Sequence, residues 1–201
     1  MEINASQVKE LREKTGVGIM DCKKALAETN GDLEKAVEYL RKKGIATAQK
    51  RGGRATSEGQ VQAYIHGGGK IGVLVEVNCE TDFTGKTSDF TEFVKNLAMQ
   101  IAASSPLAID REGLPPEVVA RERDIYMTQA RDTGKPEKVL EKIVDGKLKK
   151  FYSEVCLLEQ PFVKNPDITV QDLLNEMMAK TGENVVIRRF VRYQLGEADG
   201  R

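Results

Sequence analysis

The stretch Val61-Gln62-Ala63-Tyr64-Ile65-His66-Gly67-Gly68-Gly69-Lys70-Ile71-Gly72-Val73-Leu74-Val75-Glu76-Val77 alternates apolar and polar side chains on either side of a glycine triplet. Val61, Ala63 and Ile65 alternate with Gln62, Tyr64 and His66, and Ile71, Val73, Val75 and Val77 resume the pattern after the glycines. A period of two puts successive side chains on opposite faces of a strand, and glycine reaches turn conformations closed to other residues. The reading is a β-hairpin over residues 60–79. Val185–Leu195 is a further strand-like run, which joins the hairpin in a small three-stranded antiparallel sheet. The other periodic segments read as helices, so the fold class is α+β.

Working outward, Phe90, Phe93, Val94, Leu97 and Ile101 mark one face of a helix over residues 86–104 that ends before Pro106. After Pro115-Pro116 a charged segment carries only a thin apolar stripe (Val118, Ile125, Gln129), and Gly134 and Pro136 separate it from Val139, Leu140, Ile143 and Val144. Two helices joined by so short a turn form an antiparallel hairpin over 117–151, and the narrow stripe predicts that it projects from the body. Thr169 with Asp172 has the form of a capping box before Val170, Leu173, Leu174, Met177 and Met178, giving a closing helix and strand over 169–195.

Toward the N-terminus, Val8 and Leu11 share a face, Gly16 and Gly18 interrupt it, and a second helix turns Ile19, Cys22, Ala25 and Leu26 inward. Asn30-Gly31 ends that helix, Asp32 caps the next, and Leu33, Ala36, Val37 and Leu40 form its stripe before Gly44. Three short helices thus make a compact module over residues 1–44. Residues 45–59 have the composition of a basic linker, whose beginning can continue the preceding helix. The α+β core occupies 60–201.

The chain has 201 residues, 31 basic and 31 acidic, for a formal net charge of zero. With 40% apolar and 31% charged residues it is long and apolar enough to bury a core. Zero net charge argues against a bulk polyanion binder, because no net field recruits nucleic acid. Arg41–Arg54 still carries six basic residues and no acid, which reads as a polyanion contact or, more simply, as a solvated linker. Cys22, Cys79 and Cys156 lie far apart and form no CxxC pair, so neither a zinc ribbon nor a disulfide scaffold is encoded. The start lacks a signal-peptide pattern and no run reaches membrane-spanning length. The expectation is a soluble cytoplasmic protein with no membrane partner.

Catalytic groups are scarce. His66 is the only histidine, and a dyad with Cys79 would lack a third, orienting group. Gly67-Gly68-Gly69-Lys70 is followed by Ile71 and a strand, not by the Ser or Thr and helix of a phosphate loop. Thr15-Gly16-Val17-Gly18 lacks the preceding strand and third glycine of a dinucleotide fingerprint. No enzyme, no metal and no cofactor is expected, and the chain reads as a binding protein.

The hairpin's second strand ends in Glu76-Val77-Asn78-Cys79-Glu80-Thr81-Asp82-Phe83-Thr84-Gly85-Lys86. In the bland reading Thr81 or Asp82 satisfies free amides at a helix start and Phe83 anchors the loop in the core. In the functional reading Phe83 is an exposed wedge beside a charge on a rigid tip, which is hot-spot composition.

Two stretches of the chain together resemble the elongation factor Ts family, guanine-nucleotide exchange factors for elongation factor Tu. One is LREKTGVGIMDCKKAL (Leu11–Leu26) and the other EVNCETDFTGK (Glu76–Lys86). The likeness continues through KIVDGKLKKFYSEVCLLEQPFVKNPDITV (Lys142–Val170) and VIRRFVRYQLG (Val186–Gly196), so it covers essentially the whole chain. The resemblance implies that the N-terminal helices form a ubiquitin-associated-like module gripping a helix of the partner's nucleotide-binding domain through Arg12, Ile19, Met20 and Lys23. It makes Ile19-Met20 an exposed pair where periodicity offers Ile19 a core role. It implies that Thr81, Asp82, Phe83 and Thr84 enter the partner beside its Mg²⁺ and phosphate site, with Phe83 as the wedge.

Thr84 stands where the family usually has Val, and the chain is short, like the compact members that pair as homodimers and bind two partners. The partners so implied are elongation factor Tu, GDP-bound and nucleotide-free, and a second copy of this chain. A nucleic-acid or ribosome-associated module using Arg41–Arg54 with Arg188, Arg189 and Arg192 is the main rival. A Cys79 thiol enzyme and a ubiquitin binder are others. None of the rivals accounts for both stretches.

Overall fold

The computed structural model describes residues 4–51 and 53–197. Helix α1 (Ala5–Thr15) opens on a capping box: the Asn4 side chain accepts from the Ser6 amide, and the Gln7 side chain reaches back to the Asn4 amide. Gly16, at φ +66°, closes it in the left-handed conformation that glycine tolerates. Helix α2 (Ile19–Glu28) follows, and α3 (Leu33–Arg51) starts where Asp32 Oδ1 accepts from the Lys35 amide at 3.0 Å. Leu11, Cys22, Ala25, Leu26, Ala36 and Leu40 form the shared core, with Val8, Val17, Leu33 and Tyr39 packed around it. Each such large side chain removed from water contributes about 1.5–3 kcal/mol, which is what holds three short helices together.

Ile19 and Val37 are exposed rather than inward, so helical periodicity alone misplaces both. Ile19 is the first residue of α2, where no preceding turn exists for it to cover.

Helix α3 runs seven residues past Gly44, to Arg51. Gly44 is buried, and a Cβ there would come within 3.4 Å of Ala179 Cβ. Arg41 pairs with Asp172 at 2.7 Å, and the Arg51 guanidinium donates to the Met178 carbonyl at 3.1 Å. The second half of α3 therefore continues as helix because it lies against a later helix, α8 (Val170–Thr181). Gly52 and the side chain of Lys50, both part of the basic stretch, lie outside the described residues.

Strands β1 (Glu58–His66) and β2 (Ile71–Cys79) form the expected hairpin. The turn glycines 67, 68 and 69 all have positive φ. Strand β5 (Val185–Gln194) completes a three-stranded sheet in the order β1-β2-β5. Val73, Val75, Val77 and Cys79 of β2 and Val185 and Ile187 of β5 are buried. In β1 the half-buried set is the polar one, Gln60, Gln62 and Tyr64, whereas Val61, Ala63 and Ile65 face solvent.

Between β2 and β5 come α4 (Asp82–Gly85), α5 (Ser88–Ser104), α6 (Pro116–Arg131), α7 (Glu137–Val155), a 3₁₀ turn, a small hairpin of β3 (Pro161–Phe162) and β4 (Asn165–Thr169), and then α8. The expected face of α5 (Phe90, Phe93, Val94, Leu97, Ile101) is buried throughout. Thr87 starts that helix by accepting from the Phe90 amide at 3.2 Å. Helices α6 and α7 pack as a hairpin around Ala130, Leu140, Val144 and Leu148. The inward stripe of α6 is Val119, Tyr126, Met127 and Ala130, one position on from Val118, Ile125 and Gln129. Tyr126 and Met127 win the inner face because they reach the partner helix, Lys147 of α7 resting over the Tyr126 ring at 5.5 Å.

By contacts the chain divides into two compact units. One comprises Met1–Val61, Glu76–Val94 and Asp172–Arg188; the other comprises Gln62–Val75, Lys95–Gln171 and Arg189–Arg201. Among the described residues no helix is long and apolar enough to cross a membrane.

Candidate functional site

At the exit of β2, Thr81 takes an extended conformation (φ −125°, ψ 148°) and caps α4, its hydroxyl accepting from the Thr84 amide at 3.3 Å. This is the capping role read from the sequence. Phe83 is 82% exposed, so the core-anchor reading fails for it and an apolar ring stands in solvent. The reason is geometric: α4 is a single turn whose buried residues are Thr84 and Gly85, leaving Asp82 and Phe83 on its outer side. Asp82 pairs with Lys86 one turn on, and the carboxylate raises the Lys86 ammonium above its ordinary pKa. A fully exposed pair of this kind orients Asp82 more than it stabilises the fold.

The turn is supported from behind. Gln60 Nε2 donates to the Gly85 carbonyl at 2.6 Å and to the Thr91 hydroxyl at 3.0 Å. Gly59 and Gly85 lie side by side, a Cβ on Gly85 standing in ordinary contact at 3.5 Å from Gly59 Cα. Glu183, in the turn before β5, accepts from the amides of Glu80 (3.1 Å) and Thr81 (3.0 Å) and from the Thr81 hydroxyl (2.5 Å). Burial alone would raise its pKa; the hydrogen bonds from the Thr81 hydroxyl and the two amides prevail and hold the carboxyl below the usual glutamate range.

Glu183 is the residue that reading the sequence missed. It lies 102 positions from Thr81, and nothing in Thr181-Gly182-Glu183-Asn184 beyond a turn signal marks it.

The second candidate cluster lies on the N-terminal helices. Arg12, Ile19 and Lys23 line one groove of about 320 Å³ together with Ala5, Val8 and Lys9. Met20, beside Ile19 at the start of α2, is 75% exposed. An apolar floor flanked by cations suits an amphipathic helix carrying acidic residues.

The other candidates come apart. The Cys79 thiol is buried, donates to the Thr81 carbonyl at 3.2 Å, and has its pKa raised by burial and by the Glu183 charge, the opposite of an activated thiolate. His66 Nδ1 instead meets the Tyr64 hydroxyl at 2.9 Å. In the basic stretch Arg41 pairs with Asp172, Lys42 with Glu38, Lys43 with Asp21 and Arg54 with Glu80, while Arg51 caps the Met178 carbonyl. Its described cations are engaged within the fold rather than arrayed for phosphates.

Comparison with known sequences bears on both clusters. A family model described as Elongation factor TS matches residues 8–197. An Elongation factor Ts of Moorella thermoacetica is 66% identical over 195 residues, spanning 97% of this chain and 96% of that protein. Those of Carboxydothermus hydrogenoformans (62% identical; 97% of this chain, 90% of that protein) and Desulfotalea psychrophila (61%; 98% and 100%) are similar over comparable spans. Nothing in these matches supports the nucleic-acid reading. The match runs from within α1 to beyond β5 and so includes the helical groove, the tip and Glu183: this chain belongs to the elongation factor Ts family, the nucleotide exchange factors of elongation factor Tu.

Proposed function

We propose that this chain binds GDP-loaded elongation factor Tu through two separate elements and releases the nucleotide by disturbing its Mg²⁺ and phosphate site. The observation that carries the reading is the solvent-exposed Phe83 on a turn that is capped and braced from behind. Residues 1–44 act as the partner-binding module, ubiquitin-associated-like, with Arg12, Ile19, Met20 and Lys23 against a partner helix. Residues 45–59 connect it to the core, 60–201. Thr81, Asp82, Phe83 and Thr84 enter beside the metal, and the Mg²⁺ belongs to the partner.

No covalent bond is made or broken. The factor must bind the nucleotide-free partner more tightly than the GDP form, and linkage makes that antagonism reciprocal. A thousandfold faster release corresponds to about 4 kcal/mol at the barrier. Displacing Mg²⁺ is the source in this reading, since the ion neutralises phosphate charge that the partner must otherwise hold alone. The helical module then supplies affinity common to both nucleotide states, and Phe83 with Asp82 supplies the difference. Met20→Ala should therefore weaken the complex about tenfold, by losing roughly 1–2 kcal/mol of apolar contact, while GDP release at saturating factor stays near wild type. Titrating labelled elongation factor Tu with both proteins checks this; equal losses in binding and maximal release would sink the division.

A homodimer giving a two-to-two complex is part of the same reading. Ala63, Ile65, Leu74, Val191 and Tyr193 leave apolar side chains exposed at alternate positions of the sheet strands, where a single copy would carry polar ones, and Leu195 adds another just past β5. Sedimentation equilibrium should give twice the 22.3 kDa chain mass, falling to one chain when Ile65 and Tyr193 are both changed to Glu. A monomer at every concentration would refute the pairing. A translation factor works where ribosomes are, so the cytoplasm is the compartment, with neither membrane nor nucleic acid as a partner.

A further inference from the structure

We propose that Glu183 is a positioning residue for exchange, its carboxylate gathering the Glu80 and Thr81 amides and the Thr81 hydroxyl into one cap that fixes the turn carrying Asp82 and Phe83. The inference rests on reading that turn as the element that enters elongation factor Tu. Helix α4 has four residues, too few to hold itself by its own hydrogen bonds, and Phe83 is too exposed to anchor it. A wedge that must order itself on arrival loses part of its effect to that ordering, so its rigidity has to come from elsewhere.

Glu183 supplies it. Its two oxygens take donors from three consecutive groups on the strand exit, and an ionised acceptor makes such bonds roughly twice as strong as neutral ones. The contact is also reciprocal. The Glu80 carboxylate accepts from the Asn184 amide at 2.6 Å, and the Asn184 side chain donates to the Arg54 carbonyl at 2.9 Å. The strand exit and the turn before β5 thus hold each other by backbone amides in both directions. Charged and titratable groups close by include Glu80, whose carboxylate accepts from Arg54 at 3.5 Å, and the buried Cys79 thiol, on which the Glu183 and Glu58 charges both act.

Glu183→Gln keeps the shape but removes the charge: its one carbonyl oxygen can still take the two amides, now as a neutral acceptor, while an NH₂ faces the Thr81 hydroxyl where a carboxylate oxygen accepted. In the full chain, at fixed Mg²⁺, it should lower maximal GDP release from elongation factor Tu about tenfold, with the half-saturating concentration within about threefold of wild type. Added to Phe83→Ala it should cost no more than about another twofold, because it acts through the same tip. A folded E183Q protein with wild-type release, a loss carried by the half-saturating concentration, or losses that multiply would each overturn the proposal. On the wild-type protein alone, the Glu80 and Thr81 amide protons should titrate together with a midpoint below the ordinary glutamate range. Independent or absent titration overturns the cap. This measurement needs no partner and decides the matter even if E183Q does not fold. A wild-type protein that leaves GDP release unaccelerated would overturn the exchange reading instead, with the cap still decided by the amides.

Discussion

Phe83→Ala is expected to lower maximal GDP release from elongation factor Tu by about tenfold to a hundredfold, with complex affinity reduced by less than about tenfold. The asymmetry follows from where the ring stands. At 82% exposure it makes little contribution to its own fold, so thermal stability should change by no more than about 0.5 kcal/mol. Its whole apolar surface is available to the partner, and truncating a desolvated aromatic anchor typically removes about 2 kcal/mol or more. The groove lined by Arg12, Ile19 and Lys23 is untouched by the change, so the complex persists while release slows. Stopped-flow release of fluorescent GDP, measured to saturation, separates the two quantities. Unchanged maximal release would remove Phe83 from the mechanism.

How much of this was legible in the sequence depends on how local each cause is. Thr81 as a cap needs only its neighbour Thr84, and the hairpin needs only alternation and glycines, so both were visible. The direction in which β1 faces was not, because alternation gives two faces without saying which one the fold covers. Gln60 turns the polar set inward by bonding Gly85 and Thr91, residues 25 and 31 positions away. The end of α3 was obscured for a similar reason. Gly44 reads as a stop, yet it lies buried beside Ala179 within the helix, and a helix tolerates one glycine at about 1 kcal/mol. The short β3–β4 hairpin contains Pro161 and Pro166, which hide it from propensity. Phe83 could be read either as core or as wedge, and family resemblance rather than spacing favoured the wedge that its exposure now supports. Glu183 lay beyond reach altogether, since its role exists only once the chain has brought two distant turns together.

Gly59→Ala should be the most damaging single-methyl change near the tip, lowering stability by about 3 kcal/mol or more. Gly59 has φ +135°, a conformation that side chains rarely adopt, which alone is worth about 1–3 kcal/mol. An added Cβ would also stand 2.1 Å from the Val77 carbonyl oxygen and 2.8 Å from Asn78 Cα. Both neighbours are backbone of the adjacent strand, so neither can rotate away, and overpacking adds about 1–3 kcal/mol. For a chain of this length that total lowers the melting temperature by roughly 6–12 °C, readable by calorimetry. Gly85→Ala is the internal control. Its Cβ would meet Cys79 Sγ and Gly59 only at 3.5 Å, ordinary contact, and its φ is not positive. It should therefore melt within about 2 °C of wild type. Because Gly59 braces the turn on which Phe83 stands, Gly59→Ala should also slow GDP release at temperatures where the chain remains folded. If Gly59→Ala melts with the wild type, β1 does not lie against the strand exit as closely as the geometry requires, and the bracing of the tip from that side falls with it.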